Sequence, residues 1–221
     1  MFDLLALLTR KKYWLLHSLV IKSILRGYGI RVGRGFYIEG VPKLKIRGNP
    51  ENIVIGDNVS IYGNIDIRNR ENGKIFIEDG VSIDNDCRFV AANDAVLRIG
   101  RGTGIGPYCI FNCGVDVTIG QDCLIAHAVH VQSSEHSFAK GELIKNQGHT
   151  YGKISIGNDV WLAANVTVMK GVQIRDGCVV GAKSLVRKGR YEENSILAGT
   201  PAQKISERQQ PLKKDRTDEI L

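Results

Sequence analysis

Apolar residues recur at every sixth position along most of this chain. They fall in threes: Val32, Ile38, Leu44; Ile55, Ile61, Ile67; Ile77, Ile83, Phe89; Ile99, Ile105, Phe111; Ile119, Ile125, Val131; Ile156, Leu162, Val168; Ile174, Val180, Val186. A helix would repeat near every 3.6 residues and a half-buried strand every second. A period of six grouped in threes predicts short strands, each closed by a sharp turn, three to a coil. Stacked coils put each side chain over its equivalent in the next coil, and the ladders so formed fill the interior.

The interruptions add a second constraint. Spacing inside each group is always six, whereas between groups it is 11, 10, 10, 8, 25 and 6. Every insertion therefore leaves the same corner of a triangular coil, and the longest covers roughly residues 133–152. Two residues before the ladder stand small or β-branched residues such as Val59, Cys87, Thr103, Cys109, Cys123, Val129, Cys178 and Ser184, which suit a turn stacked on its own copy. Gly33, Gly56, Gly100, Gly106, Gly120, Gly157 and Gly181 directly follow a ladder residue, where a bend tolerates little side chain.

The 221 residues are one domain's worth of chain. Strands about 4.8 Å apart would make seven coils a prism on the order of 30 Å tall. The net charge of +7 is concentrated: residues 1–34 hold seven Lys or Arg against Asp3 alone. The rest of the chain is close to neutral and shows no basic stripe interleaved with aromatics, which argues against a nucleic-acid-binding body. Residues 1–29 read as a helical segment broken by Arg10-Lys11-Lys12, too short in its apolar runs to span a bilayer and without a signal-peptide cleavage site. It fits a cap over the open end of the prism, or a basic amphipathic anchor on the inner membrane face; the two can coexist. Residues 30–205 form the repeat domain, and 206–221 read as a charged tail. Five cysteines without a CxxC pair read as buried small residues in a reducing, cytoplasmic compartment.

A regular scaffold does no chemistry, so function is expected where regularity fails. The long insertion begins Gln132-Ser133-Ser134-Glu135-His136-Ser137-Phe138 and ends near Gly148-His149-Thr150-Tyr151. Histidine is the side chain best suited to accept a proton near neutral pH. His136 at the loop root is the candidate base, with Glu135 or His130 as alternatives for orienting it. His127 and His130 lie on the coil before the loop, His149 near the loop's far end, and His17 in the N-terminal segment. Their spacing fits a three-histidine zinc site poorly, so no metal is expected.

Three segments resemble the hexapeptide-repeat acyltransferases. They are Ser133 to Phe138; the coil from Ile154 to Val168, with Trp161 at its centre; and Cys178-Val179-Val180-Gly181-Ala182-Lys183-Ser184-Leu185-Val186, followed by the Ile196 to Ile205 stretch containing Ala198-Gly199-Thr200-Pro201-Ala202. The resemblance covers about residues 30–205 and is nearest to O-acetyltransferases of polysaccharides and sugars. It implies an all-β fold, a left-handed parallel β-helix of about seven coils, assembled as a homotrimer. It implies acetyl-CoA as co-substrate, a carbohydrate acceptor, His136 as base and Trp161 beside the reacting groups, with no covalent acyl-enzyme. Acetyl-CoA would lie between subunits, with a backbone N–H of the 161–165 stretch facing the oxyanion. Ala163, Gly181 and Ala182 would leave backbone open to the pantetheine amides, and Lys183, Arg187 and Lys188, with Arg190, would stand near the phosphates. Lys183 and the Gly189 to Asn194 turn depart from the family pattern. The alternatives are an antibiotic-type O-acetyltransferase, a non-catalytic β-helix and a zinc-dependent, carbonic-anhydrase-like enzyme.

Overall fold

The computed structural model describes Leu7, Thr9 and residues 12–210. It opens with a helix over Lys12–Gly27 that lies against the first coil, burying Ser18 and Leu25. Ser18 Oγ accepts the Ile38 N–H at 2.8 Å, and His17 Nε2 lies 2.9 Å from the Gly40 carbonyl. The helix stops where Gly29, at φ +97°, takes the left-handed conformation. Ile30 N–H then donates to the Leu25 carbonyl and Gly29 N–H to Arg26, while the Ile30 and Leu25 side chains are both buried. This paired closure satisfies the last helical carbonyls and aims the chain into the first strand, Arg31–Val32. The part of the expected helix over residues 1–11 lies almost wholly outside the described residues.

Three parallel sheets of eight, nine and seven strands follow, one per face of the prism, except that the last strand of the nine runs antiparallel. On the first face Val32, Ile55, Ile77, Ile99, Ile119, Ile156 and Ile174 stand in register, and Tyr191 continues the row. The second carries Ile38, Ile61, Ile83, Ile105, Ile125, Leu162 and Val180, then Leu197. The third carries Leu44, Ile67, Phe89, Phe111, Val131, Val168 and Val186. This register is the predicted one, residue for residue. All but Leu44 of the predicted ladder are buried, and the Phe89 and Phe111 rings meet edge to face at 5.1 Å.

Tyr191 and Leu197 form part of an eighth coil that the six-residue rhythm does not reveal, because Tyr191 follows Val186 after five residues. The strand Ser195–Gly199 then pairs antiparallel with Ala202–Glu207 and closes the second sheet. The expected tail therefore begins late: Ser206 and Glu207 belong to that strand, and residues 211–221 lie outside the described residues.

The corners explain the rest of the pattern. At the corner after the first face, the third residue past each ladder position has a left-handed backbone: Gly35, Asn58, Gly80, Gly102, Asp122, Asp159, Gly177 and Asn194. Gly, Asn and Asp adopt that conformation at least cost. Coils also approach closely there. A Cβ on Gly120 would sit 2.4 Å from the Gly157 carbonyl oxygen, and one on Gly157 would sit 2.2 Å from Asp176 Oδ1. The expectation of a crowded bend does not extend to Gly181, whose Cβ would keep 3.4 Å from its neighbours at the second corner.

The buried cysteines have a structural use. Cys87, Cys109, Cys123 and Cys178 direct their thiols at the Gly106, Ala126, Gly157 and Glu192 carbonyls of the next coil, at 3.0–3.2 Å. Thr103 makes the same bond to Gly120. Ser195 holds this position in the last coil, where no further coil offers a carbonyl, and its buried hydroxyl has no partner.

A contrast between two glycines of neighbouring coils tests the stacking argument. Gly120→Ala should cost about 1–3 kcal/mol and several degrees of Tm, because its methyl meets backbone that cannot yield. Gly104→Ala should change stability by no more than about 0.5 kcal/mol, because its nearest neighbour is Ser82 Oγ at 3.4 Å. Thermal and urea unfolding of both variants would check this; equal losses would contradict it.

Candidate active site

The chain leaves the third face at Ser133, which is fully buried and fully bonded. Its Oγ accepts the Gly114 and Val115 N–H groups at 3.0 and 3.2 Å and donates to the Val115 carbonyl. Its carbonyl takes the Gly152 N–H at 3.0 Å, so one residue ties the exit of the loop to its return. Between them Ser134–His136 pairs antiparallel with His149–Tyr151. The Tyr151 ring lies over Gly114, where a Cβ would come within 2.7 Å of it. Beyond the hairpin, the Gln147 side chain staples the tip to the Ala139 and Glu142 backbone. Phe138, Leu143 and Ile144 are exposed there.

Strand alternation sorts the side chains of the hairpin. Glu135 faces one way and pairs with Lys170 of the next coil at 2.9 Å, while Lys170 also bonds the Thr150 hydroxyl. His136 faces the other way and meets its cross-strand partner His149, ring centroids 4.2 Å apart and tilted by 38°. Tyr151 lies 6.2 Å from His149. Neither residue expected to orient His136 does so: Glu135 is committed to Lys170, and His130 lies on the third face between Ile110 and Thr167. Burial holds the His130 imidazole below the ordinary histidine range. The neighbour that sequence reasoning missed is His149, thirteen residues away and joined to His136 only by the hairpin register.

The hairpin overhangs a polar cleft of about 310 Å³. Arg70, Glu71, Asn93, Asn112, His149 and Tyr151 contribute to its walls. Glu71 and Asn93 are fixed within it: Glu71 Oε2 accepts the Asn93 N–H, and Asn93 Nδ2 donates to the Gly114 carbonyl at 2.9 Å.

The other predicted residues lie elsewhere on the prism. Trp161 is half exposed on the second face between Leu124 and Val179, beside a shallow cavity of about 390 Å³ lined also by Tyr62, Ser82, Asp84 and Gly104. That face lies opposite the corner bearing the hairpin, so one chain does not bring Trp161 to His136. Ala163, Gly181, Ala182 and Lys183 gather at the corner after the second face, Lys183 with φ +59°. Arg187 and Lys188 project instead from the corner that carries the hairpin, where the Lys188 stem packs over Gly171. The backbone at the corner after the second face is less open than expected: Ala163 N–H donates to the Val180 carbonyl and Gly181 N–H to the Leu197 carbonyl. Within 161–165, Trp161 and Asn165 N–H groups are also committed, to Cys178 and His127 carbonyls.

All five cysteines are buried away from solvent, Cys109 included, whose thiol is held lower by its hydrogen bond with Cys87. Burial pushes the Cys113, Cys123 and Cys178 thiols up, and Cys87 is raised by the Cys109 thiol beside it and by burial. Among the described residues, no three His, Cys, Asp or Glu side chains converge as a metal site would require.

The scaffold thus carries one histidine-bearing hairpin at a corner and keeps its thiols inside the coils. Residues 153–188 match the family model "Bacterial transferase hexapeptide (six repeats)". The galactoside O-acetyltransferase of Escherichia coli is 31% identical over 185 residues, 80% of this chain and 87% of that protein. A Mycobacterium tuberculosis protein named as a probable acetyltransferase is 29% identical over 71% of this chain, and the chain spans half the length of that relative. The crystal structure of the polySia-specific acetyltransferase NeuO superposes with a TM-score of 0.60 at 25% identity, covering 86% of this chain and 83% of that one. The chain belongs to the hexapeptide-repeat acetyltransferases, with their left-handed parallel β-helix.

Two outcomes follow from the loop root and its surroundings. Lys170→Met should speed amide hydrogen exchange across residues 134–151 while lowering stability by about 1 kcal/mol or less, since the ion pair it breaks is partly exposed. Unchanged exchange would show that Lys170 does not hold the hairpin. For His130 the unfolded chain protonates near pH 6.5 while the folded chain resists, so stability is lost as pH falls below about 6.5. His130→Gln should flatten the urea midpoint between about pH 5 and 6.5, which a midpoint series over that range would test.

Proposed function

We propose that this acetyltransferase moves an acetyl group from acetyl-CoA to a sugar hydroxyl of a bacterial surface polysaccharide, capsule or O-antigen, as polymer or lipid-linked precursor. The observation that carries the reading is His136 packed on His149, which lines a polar cleft. Such a cleft suits a hydroxylated ligand, and the similarity to the galactoside and polySia-specific enzymes supports a carbohydrate.

The chemistry follows from the pair. A sugar hydroxyl is a weak nucleophile until its proton is taken. The His149 ring, 4.2 Å from that of His136, packs against the proposed base and helps hold its orientation. His136 accepts the hydroxyl proton as the oxygen bonds to the thioester carbon. When the C–S bond breaks, the proton passes from His136 to the departing thiolate. The Ala164 N–H is the candidate oxyanion donor, since its neighbours Ala163 and Asn165 are already committed.

Acetyl-CoA would lie along the corner of Ala163, Gly181 and Ala182, where Ala182 is exposed and Ala163 buried beneath, with Lys183 toward the phosphates. The hairpin corner and the Trp161 face point away from each other within one chain. In a homotrimer the hairpin of one copy would meet the second face of the next, bringing His136, Trp161 and the Ala182 corner into one site. Arg187 and Lys188 would then reach that cofactor from the copy that supplies the hairpin.

Thiol release from acetyl-CoA, measured with capsule and O-antigen polysaccharides, their monomers and chloramphenicol, tests the reading. Polysaccharide-dependent release should fall at least about 100-fold in His136→Ala. His149→Phe should retain the fold and lower the rate of polysaccharide-dependent release, because the ring that His136 packs against is changed. Release indifferent to His136→Ala would sink the mechanism, and chloramphenicol as sole acceptor would sink the substrate class.

A further inference from the structure

The N-terminal helix is apolar on the side that faces away from the protein. Its inner side, Ser18, Leu25 and the half-buried Trp14 and Ile21, packs on the first coil. Its outer side presents Leu15, Leu16, Leu19, Val20 and Ile24, each 51–65% exposed. Spacing of three, four and five residues joins these side chains into one stripe along the helix. A helix that is apolar all round is normally buried all round. Nothing among the described residues packs on this outer stripe, and Tyr28, just past the helix, and Val41 of the first coil are exposed as well.

Charge points to what covers it. Residues 12–48, the helix and the first coil, hold eight Lys or Arg and a single acid, Glu39. Their net +7 equals that of the whole chain, because the remaining 184 residues carry twenty-two charges of each sign. Lys12 lies on the helix, and Arg31, Lys43 and Lys45 lie on the coil beneath; Arg26 donates back to the Val32 carbonyl and Arg34 pairs with Asp57 at 2.9 Å. Two such ends pressed together would oppose like charges, which disfavours a second copy as the occupant. No described helix is long and apolar enough to cross a membrane, and an exposed apolar stripe on a 16-residue helix suits lying along a surface.

We infer that the outer stripe of the Lys12–Gly27 helix docks on an anionic lipid bilayer, with the helix axis in the plane of the interface. The leucines enter the acyl boundary while the basic residues of the first coil meet lipid headgroups. This places the prism end-on to the membrane. The inference does not depend on the acceptor proposed above, although it suits a lipid-linked glycan.

Sedimentation of the full chain with phosphatidylcholine vesicles, with or without about 30% phosphatidylglycerol, tests it. The wild type should bind the anionic vesicles at least about tenfold more tightly than neutral ones and lose affinity as salt rises. Leu16→Glu/Val20→Glu, on the exposed side and away from the first coil, should keep the unfolding temperature and lose binding by at least about tenfold. Lys12→Glu/Lys43→Glu should weaken binding to anionic vesicles alone. Failure of the wild type to bind, binding indifferent to the stripe variants, or equal binding to both lipids would overturn the inference. So would vesicle-independent self-association that the stripe variants abolish, which would assign the face to a second copy.

Discussion

Every coil of this protein rests on the in-register stacking of like on like. Val32 beneath Ile55 beneath Ile77, and so on to Tyr191, is a single row whose members each fill the space left by the next. The gain is apolar surface removed from water, repeated on three faces. The cost is that backbones at the corners come into contact. That contact explains why glycine stands at Gly100, Gly120 and Gly157, why left-handed Asn and Asp recur three residues past the ladder, and why buried thiols serve as weak donors between coils.

The same constraint decides where function can reside. A coil tolerates extra residues only at a corner where departing chain does not disturb the ladder, and here that is always the corner after the third face. Ser133 converts the corner into a platform: one buried hydroxyl satisfies two amides and a carbonyl, and its own carbonyl closes the hairpin. Lys170 then braces the platform from the next coil through Glu135 and Thr150. The histidines thus sit on a braced hairpin rather than on a loose loop, which suits the proton acceptor proposed for His136.

Charge is partitioned along the same axis. The coils from residue 49 onward balance positive against negative, and the excess lies at the helix-bearing end. Chemistry at a mid-prism corner and surface attachment at one end would leave the hairpin free to meet its acceptor.

The sequence by itself determined the coil, its register and the corner from which the loop departs, because one ladder residue every six positions leaves a single consistent stacking. It also marked His136, since a histidine at the root of the one long interruption is conspicuous. It stopped short at the last coil, where a five-residue step hides Tyr191, and at the tail, where Ser206 and Glu207 join a strand whose partner is antiparallel. The tertiary structure alone decided the neighbours. His149 meets His136 through a hairpin register with no periodic signature, and Glu135 turns away because strand side chains alternate. Arg187 and Lys188 part from Lys183 because three residues suffice to turn from a strand into the next corner. Local periodicity fixes which residues point inward; which exposed residues meet depends on contacts far apart in the chain, and those leave no repeat to read.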